Sequence, residues 1–196
     1  EDLMLLHPEL LSAGITRIAL TTNPEPRIYC VLGDGTLAVC LIDRSEGIIG
    51  WSRIELASGT FTDIAIITDN AEDEVYVTVS RGGSEYIERF AKLSEAQGAT
   101  VSKHYDSFVQ YSSPGATATG LDHLDGVECY VWADGKERGP VTPSSGSATL
   151  QSSGFTDVIV GTRHTAEYKS NRLGQYIPKD VLSDRKRLFK IGLTMR

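Results

Sequence analysis

Residues 28–42 read Ile-Tyr-Cys-Val-Leu-Gly-Asp-Gly-Thr-Leu-Ala-Val-Cys-Leu-Ile. Two apolar runs meet at Asp34-Gly35, a dipeptide that favours a two-residue β-hairpin turn. Both runs are apolar at successive positions, so we expect both faces of this hairpin to be covered. With a two-residue loop, Cys30 would pair with Val39, and the sulfurs of Cys30 and Cys40 would lie on opposite faces of the sheet.

Strand patterns continue on the C-terminal side of this hairpin. Val75, Val77 and Val79 alternate with polar residues, which is typical of a strand with one buried and one solvated face. Gly82-Gly83 predicts a turn into the strand that follows. The predicted strands of this half span residues 28–33, 36–42, 48–54, 61–67, 74–80 and 85–90. Strands at this spacing favour an antiparallel meander or a propeller-like sheet.

A change in composition divides the chain. Residues 94–120 are rich in Ser, Gly, Ala and Thr, and we place a domain boundary there, which gives domains at 1–95 and 96–196. In the second domain, Asp134-Gly135 predicts another hairpin turn. Further strands are predicted at 107–111, 127–133, 138–142, 147–151, 156–161, 164–169 and 187–195, with single helical turns within 2–11 and 178–186. The sequence therefore predicts an all-β protein of two antiparallel β domains, a meander or propeller-like sheet followed by a small β-sandwich or barrel-like domain.

Composition and charge restrict the function classes. The chain has 196 residues, of which 40% are hydrophobic and 23% charged, as in an ordinary globular protein. Nineteen Lys and Arg against 26 Asp and Glu give a net charge of −7, which argues against tight binding to a nucleic-acid backbone. No apolar run approaches the ~20 residues that cross a bilayer, so we expect no membrane insertion. The cysteines, Cys30, Cys40 and Cys129, are odd in number and lack a Cys-x-x-Cys spacing, so we interpret them as core residues.

Both ends of the sequence have features of an internal fragment. The chain begins Glu1-Asp2-Leu3, without methionine and without the pattern of a signal peptide. At the other end, residues 188–195 alternate like a strand and then stop at Arg196. We expect a fragment of a longer protein that is mostly monomeric in dilute solution. The strand at 188–195 would be its route to a strand-addition dimer.

The densest ionisable cluster is Asp122-His123-Leu124-Asp125. Two carboxylates around an imidazole could carry out acid–base chemistry or hold a metal, but we favour a polar turn that precedes a strand. No serine stands in a Gly-x-Ser-x-Gly motif, and Gly33-Asp34-Gly35 lies between strands rather than at the start of a helix, where a phosphate would bind. Two carboxylate pairs are interpreted as solvent-facing charge: Glu72 with Glu74, and Glu85 with Glu88.

The only basic run comprises Arg185-Lys186-Arg187 and Lys190. It could contact a nucleic-acid backbone, with Tyr176 and Phe189 near enough in sequence to stack on bases. We favour a solvated approach to an edge strand, where basic side chains discourage strand addition. The residues thus predict a protein that is not an enzyme. They nominate no catalytic, cofactor-binding or metal-ligating residue and no cofactor.

Several short sequence segments, which follow one another in a fixed order over most of residues 7–170, resemble the tail nozzle proteins of short-tailed bacteriophages. This family is also called tail tubular protein B. The segments are His7-Pro8-Glu9-Leu10-Leu11 followed by Gly14 to Ala19, Pro24 to Leu37, Asp43-Arg44-Ser45-Glu46 with Gly50-Trp51-Ser52-Arg53, Asp73 to Phe90, Gly120 to Val127 with Ala133-Asp134-Gly135, and Val158 to Ala166. At Thr162-Arg163 the sequence departs from the family, which usually has an apolar residue and Pro there. The family is also much longer than this chain, so the resemblance covers a fragment of it.

The resemblance implies a virion structural protein that is made in the bacterial cytoplasm and assembled into a phage tail. Its implied partners are copies of itself in a ring, the adaptor and portal proteins above, and tail fibres or spikes attached nearby. The resemblance also implies that DNA passes through the lumen of the ring during ejection. The gene could belong to a free phage or to an integrated prophage. A conduit should not hold DNA tightly, which agrees with the net negative charge.

A second class of function stays open, a carbohydrate- or receptor-binding β module of a phage tail. Trp51, Trp132 and several tyrosines could form a platform on which a saccharide stacks. Trp132 falls on the strand face opposite Val131, and that face could be solvated. A polysaccharide-degrading enzyme would need two carboxylates across a cleft, and the sequence offers no pair to nominate.

Overall fold

The computed structural model describes residues 8–68, 72–92, 95 and 104–168. These residues form thirteen strands in four antiparallel sheets, together with two short 3₁₀ turns, which confirms the predicted all-β class. The chain divides into a compact unit at residues 1–164 and a second unit at 165–196. Of the second unit, residues 165–168 are described, and they have no regular secondary structure. The domain boundary at 95/96 stays a prediction.

The first sheet is a four-stranded meander in the order β1-β2-β3-β4. Its strands are β1 (Ile15–Thr21), β2 (Arg27–Leu32), β3 (Leu37–Asp43) and β4 (Ile48–Ile54). A 3₁₀ turn at Pro8–Leu11 precedes it, with Pro8 at the first position, where a missing N–H has no cost. Strands β2 to β4 agree with the sequence prediction. Strand β1 was not predicted.

The loop between β2 and β3 contains three residues, not the expected two. The N–H of Leu32 donates to the carbonyl of Thr36 at 2.9 Å, and the N–H of Gly35 donates to the carbonyl of Leu32 at 3.0 Å. Gly35 has a φ of 79°, the left-handed conformation that closes a three-residue hairpin loop with a bulge. The extra loop residue shifts the pairing of the two strands by one position.

This shift corrects the expected placement of the cysteines. Cys30 pairs with Ala38, and Cys40 pairs with Ile28, so both sulfurs lie on the same face of the sheet. Both thiols are free and buried. The opposite-face prediction was therefore wrong, because a one-residue change in register exchanges the two faces of a strand. The expectation that both faces of this hairpin are covered is confirmed for the strand residues nearest the turn, 29–32 and 37–40, which are all buried.

The second sheet has the order β5-β6-β7, with strands at Thr60–Ile67, Glu74–Arg81 and Ser84–Arg89. The predicted turn at Gly82-Gly83 joins β6 to β7, with Arg81 paired to Ser84. One face of the first sheet packs on one face of the second. The buried residues of this core are Tyr29, Val31, Leu37, Val39, Phe61, Val75, Val77 and Val79. The alternation of β6 thus places its valines inside, as predicted.

The third sheet has the order β11-β10-β13-β8, and a two-stranded ribbon pairs β12 with β9. The strands are β8 (Asp106–Ser112), β9 (Thr117–Thr119), β10 (Cys129–Ala133), β11 (Lys136–Val141), β12 (Ser147–Thr149) and β13 (Asp157–Thr162). The predicted turn at Asp134-Gly135 joins β10 to β11 as a two-residue loop, and both turn residues have positive φ, at 48° and 77°.

One core joins the third sheet, the ribbon and a 3₁₀ turn at Asp122–Leu124. Its buried residues are Ala118, Leu121, Leu124, Cys129, Val131, Ala133, Ala148, Leu150, Val158 and Val160. Strand β9 was not predicted, and the strand predicted at 164–169 is absent from the described residues 164–168. The strand at 187–195 and the helical turn at 178–186 lie outside the described residues.

Candidate functional site

The cluster Asp122-His123-Leu124-Asp125 forms a tight turn that precedes β10, as the sequence analysis favoured. Leu124 is fully buried in the core of the third sheet. A carboxylate oxygen of Asp125 accepts the backbone N–H of Gly146 at 2.8 Å, which ties this turn to the segment before β12. The Asp125 carboxylate thus holds the turn in place, and such contacts are structural rather than catalytic.

His123 faces the beginning of β8. Its Nε2 lies 2.8 Å from the carbonyl oxygen of Ser107. Because a carbonyl only accepts hydrogen bonds, Nε2 must carry a proton here. The His123 ring also lies 5.9 Å from the ring of Tyr86 in β7, at a tilt of 57°. His123 thus connects a strand of the second sheet to a strand of the third.

A second set of contacts at the same place centres on Arg81, which is buried. Its Nε donates to the carbonyl of Ser58 at 2.7 Å. One terminal nitrogen forms an ion pair with Glu88, and the other donates to the hydroxyl of Ser107. The Ser107 hydroxyl in turn donates to the second oxygen of Glu88 at 3.0 Å. We call these residues, Ser58, Arg81, Glu88, Ser107 and His123, the Arg81 network.

The Arg81 network corrects one interpretation from sequence. Glu88 was expected to face solvent, but its side chain is only 18% exposed and that of Arg81 is 5% exposed. Glu74, also expected to be solvent-facing charge, binds Lys92 at 2.7 Å and accepts the Tyr76 hydroxyl at 2.8 Å. The sequence has no local signal for the network, since Arg81 reads only as a polar residue before a glycine turn.

The tryptophans do not form the shared aromatic platform that a saccharide site would need. Trp51 lies on β4 in the first sheet, and Trp132 lies on β10 in the third sheet. Trp132 is half-buried, and the ring of His104 meets it edge-on at 5.2 Å. The ring of Tyr130, on the same face as Trp132, is covered by the guanidinium of Arg163 at 3.7 Å.

The residues around that face bind one another. Arg163 forms an ion pair with Glu137, and this contact lowers the pKa of the Glu137 carboxyl. The Tyr105 hydroxyl donates to the same carboxylate at 3.0 Å. Burial, with this hydrogen bond, raises the pKa of Tyr105 to about 12. The Tyr105 hydroxyl therefore stays protonated at neutral pH and acts as a hydrogen-bond donor rather than a base.

The three cysteines lack the environment of a reactive thiol. Burial raises the pKa of the Cys129 thiol to about 11, and it also raises the pKa values of Cys30 and Cys40. A thiol is nucleophilic as its thiolate, which a raised pKa disfavours. Within residues 8–68, 72–92, 95 and 104–168, no three His, Cys, Asp or Glu side chains come close enough to hold a metal ion.

Seven large aliphatic side chains are exposed on the surface of the strands. Those on β1 and β4 are Ile15, Ile18, Leu20, Ile48 and Ile49, and two more are Ile67 on β5 and Ile87 on β7. The basic run at 185–190, interpreted from sequence as a solvated approach to a strand, lies outside the described residues.

Comparison with known proteins does not assign this chain to a family. No protein-family model matches the chain, and a search of the curated proteins found no match either. In the part of the chain that the structure describes, no helix has the length and apolar character needed to span a bilayer.

Proposed function

We propose that this chain is a structural protein of a bacteriophage tail, a piece of the nozzle ring through which DNA leaves the particle. The proposal starts from the sequence segments between residues 7 and 170 that resemble tail nozzle proteins and follow one another in the same order. The observation that supports it best is the use of the polar side chains. The side chains of the Arg81 network, the Asp125 carboxylate and the Glu137–Arg163 pair all bind groups within the protein.

A conduit wall needs a stiff scaffold more than it needs chemistry. Two antiparallel sheets packed face to face provide such a scaffold, and the Ser107 hydroxyl of the third sheet is hydrogen-bonded to the buried Arg81–Glu88 pair of the second. The excess of acidic residues gives a surface that repels the phosphate backbone, which suits a passage for DNA. In this role the protein performs no catalysis and needs no cofactor.

The proposed partners follow from the same role. Copies of this protein would form the ring, adaptor and portal proteins would lie on one side, and tail fibres or spikes would attach nearby. The proposed location is the phage tail, after synthesis in the bacterial cytoplasm. The exposed aliphatic residues of β1 and β4 offer apolar surface for such contacts.

The proposal is tested on phage particles. Antibodies raised against this chain are applied to particles induced from the source bacterium and located by immunogold electron microscopy. We expect label at the tail, and we expect particles assembled without the gene to package DNA but to lack the nozzle density. Label confined to the cell, or particles that are complete without the gene, would refute the proposal. A glycan array on the purified chain tests the carbohydrate-binding alternative separately.

A further inference from the structure

The apolar cores of residues 8–92 and of residues 104–164 are separate, although both parts lie within one compact unit. Among the described residues, the core between the first two sheets and the smaller cluster around Cys30, Leu32 and Ala38 come from 8–92 alone. The core of the third sheet and the ribbon comes from 104–164 alone. We call these two parts of the chain the first half and the second half. Each half buries its own apolar surface, as a separate folding unit does.

One hydroxyl group and one pair of rings join the two halves at the Arg81 network. The hydroxyl of Ser107, in the second half, accepts a hydrogen bond from Arg81 and donates one to Glu88 at 3.0 Å. The ring of His123, also in the second half, lies 5.9 Å from the ring of Tyr86. Parts of one chain that meet through polar groups, without a shared apolar core, can move relative to each other.

The ion pair at this place belongs to the first half alone. Arg81 lies on β6 and Glu88 on β7, and their side chains are 5% and 18% exposed. The Nε of Arg81 also donates to the carbonyl of Ser58 at 2.7 Å, again within the first half. Separation of the halves would thus leave neither charge without a partner. It would break the two hydrogen bonds of one hydroxyl, which water can replace.

Ser107 makes this contact from an unusual backbone conformation. Its φ is 53°, in the left-handed region that a residue with a side chain adopts at a free-energy cost. Its carbonyl accepts the Nε2–H of His123 at 2.8 Å, while its hydroxyl reaches the ion pair of the first half. Residues held in such conformations by their surroundings are frequent in switch regions.

We propose that the Arg81 network is a latch between two bodies, closed in this structure, and that the two halves separate as folded units when it opens. In the closed state, Ser107 and His123 hold the second half against β6 and β7. In the open state, each half keeps its strands, its core and the partners of its buried charges. This conformational device goes beyond the proposed tail function and does not rest on it.

Two single-tryptophan proteins test the proposal, because each half contains one of the two tryptophans. Trp132→Phe leaves Trp51 as the fluorescent reporter of the first half, and Trp51→Phe leaves Trp132 as the reporter of the second. Unfolding of the full 196-residue chain in urea is followed by the fluorescence of each reporter. Every latch variant is compared with its own single-tryptophan parent.

Ser107→Gly removes the latch hydroxyl without new strain, because glycine adopts the left-handed conformation freely and the Arg81–Glu88 pair remains. The latch adds to the stability of whichever half unfolds first, since the second to unfold has already lost its partner. We therefore expect the urea midpoint of the less stable half to fall by about 0.5–1 M and that of the other half to stay unchanged.

Tyr86→Val removes the ring contact from the opposite side of the latch and keeps a residue that suits a strand. It should lower the midpoint of the same half that Ser107→Gly affects. Equal falls at both tryptophans would show one cooperative unit and would overturn the proposal. A fall in the first half for Tyr86→Val and in the second half for Ser107→Gly would show local effects and would also overturn it, as would no change in either variant.

Thr62→Val is the matched control within one half. Its hydroxyl donates to Glu85 at 3.0 Å, and both residues belong to the second sheet. The bond that this change removes has the same chemistry as the bond between Ser107 and Glu88, but it does not join the halves. We expect the midpoint that Trp51 reports to fall and the midpoint that Trp132 reports to stay unchanged.

Small-angle X-ray scattering without urea gives a readout that does not depend on unfolding. In the double variant Ser107→Gly with Tyr86→Val, we expect a larger radius of gyration than in the wild type, because separated halves occupy more space. The far-ultraviolet circular dichroism spectrum should stay the same, since each half keeps its strands. An unchanged radius of gyration would mean that the halves stay together without the latch, which would refute the proposal.

Discussion

Arg81 binds groups from three separate parts of the chain with one guanidinium. It contacts the loop before β5 through Ser58, the partner strand β7 through Glu88, and strand β8 of the third sheet through Ser107. A buried guanidinium must have all its donors satisfied, because an unpaired buried charge is strongly destabilising. Arg81 is therefore one of the residues that hold the second and third sheets together.

Replacement of Arg81 tests that dependence. Arg81→Met keeps the length of the side chain but leaves Glu88 buried without its partner, so we expect the free energy of unfolding to fall by about 3–5 kcal/mol. Arg53→Met is the control, because Arg53 is half-exposed in its ion pairs and should cost about 1 kcal/mol or less. Urea denaturation measures both. Equal losses in the two variants would show that the Arg81 network does not stabilise the fold.

Asp73 provides a prediction about pH. Its carboxylate accepts the backbone N–H of Thr22 at 2.7 Å and of Asn23 at 3.1 Å, and these bonds lower its pKa. A lowered pKa in the folded state contributes stability above the ordinary carboxyl pKa of about 4, and this contribution is lost as the pH falls through the folded-state pKa. The urea midpoint of the wild type should therefore decrease in acid.

Asp73→Asn removes this titration. We expect the variant to be less stable than the wild type at neutral pH, and we expect the difference to shrink as the pH is lowered toward about 3. Urea midpoints measured at several pH values test this. A difference between the two proteins that stays constant across the range would exclude a stabilising role for the ionised carboxylate.

At the scale of elements, the third sheet depends on the close approach of two of its strands, β13 and β8. Gly161 in β13 lies beside residues 106–109 of β8, the strand with which β13 pairs antiparallel. A Cβ atom there would lie 2.8 Å from the Cβ of Phe108 and 2.9 Å from both the carbonyl oxygen of Asp106 and the Cβ of Tyr105. No side chain larger than hydrogen fits between the two strands without movement of the backbone. The register shift between β13 and β8 falls at this same point.

Gly161→Ala should therefore destabilise the protein by about 1–3 kcal/mol, as overpacking of a closed site does. Gly50→Ala is the matched control, since Gly50 also lies within a strand but has no atom within 4 Å of the added methyl group. There we expect no loss and a gain of up to about 1 kcal/mol. Thermal unfolding of both variants, at a concentration that keeps them monomeric, makes the comparison. Equal effects would mean that β8 moves aside without cost.

The elements that the sequence predicted are those whose pattern is local. The alternation along β6 and the turn at Asp134-Gly135 each depend on neighbouring residues, and both were predicted correctly. The length of the loop between β2 and β3 was predicted wrongly, because Asp34-Gly35 fits a two-residue turn and a three-residue loop equally well. Strand β1 was missed because its aliphatic residues are largely exposed and give it no buried pattern. The Arg81 network joins residues that are distant in sequence, so no local sequence pattern predicts it.

For the whole molecule, charge is the property that the proposed role uses. The chain has seven more acidic than basic side chains, and its basic run is short. Affinity for duplex DNA rises with the number of phosphates that basic side chains neutralise. A wall that DNA slides past benefits from the absence of such affinity.

We therefore expect no binding to duplex DNA tighter than about 1 µM at physiological salt, as measured by fluorescence anisotropy of a labelled duplex. The reason is the repulsion between the acidic surface and the phosphate backbone. Sub-micromolar binding that weakens steeply with salt would contradict the prediction. Loss of that binding in Arg187→Glu would then assign it to the basic run at 185–190.

The order of strands also sets the order in which the protein can form during synthesis. Each strand of the first two sheets pairs only with its neighbours in sequence, whereas β8 pairs with β13 and must wait until four other strands have been made. Pairings between neighbours form fast because little chain entropy is lost in closing their loops. On the ribosome, the N-terminal meander is thus ready before β8 has any partner. During that interval Arg81 and Glu88 have both been synthesised and can form their ion pair. The contact that is still missing is the one to the hydroxyl of Ser107.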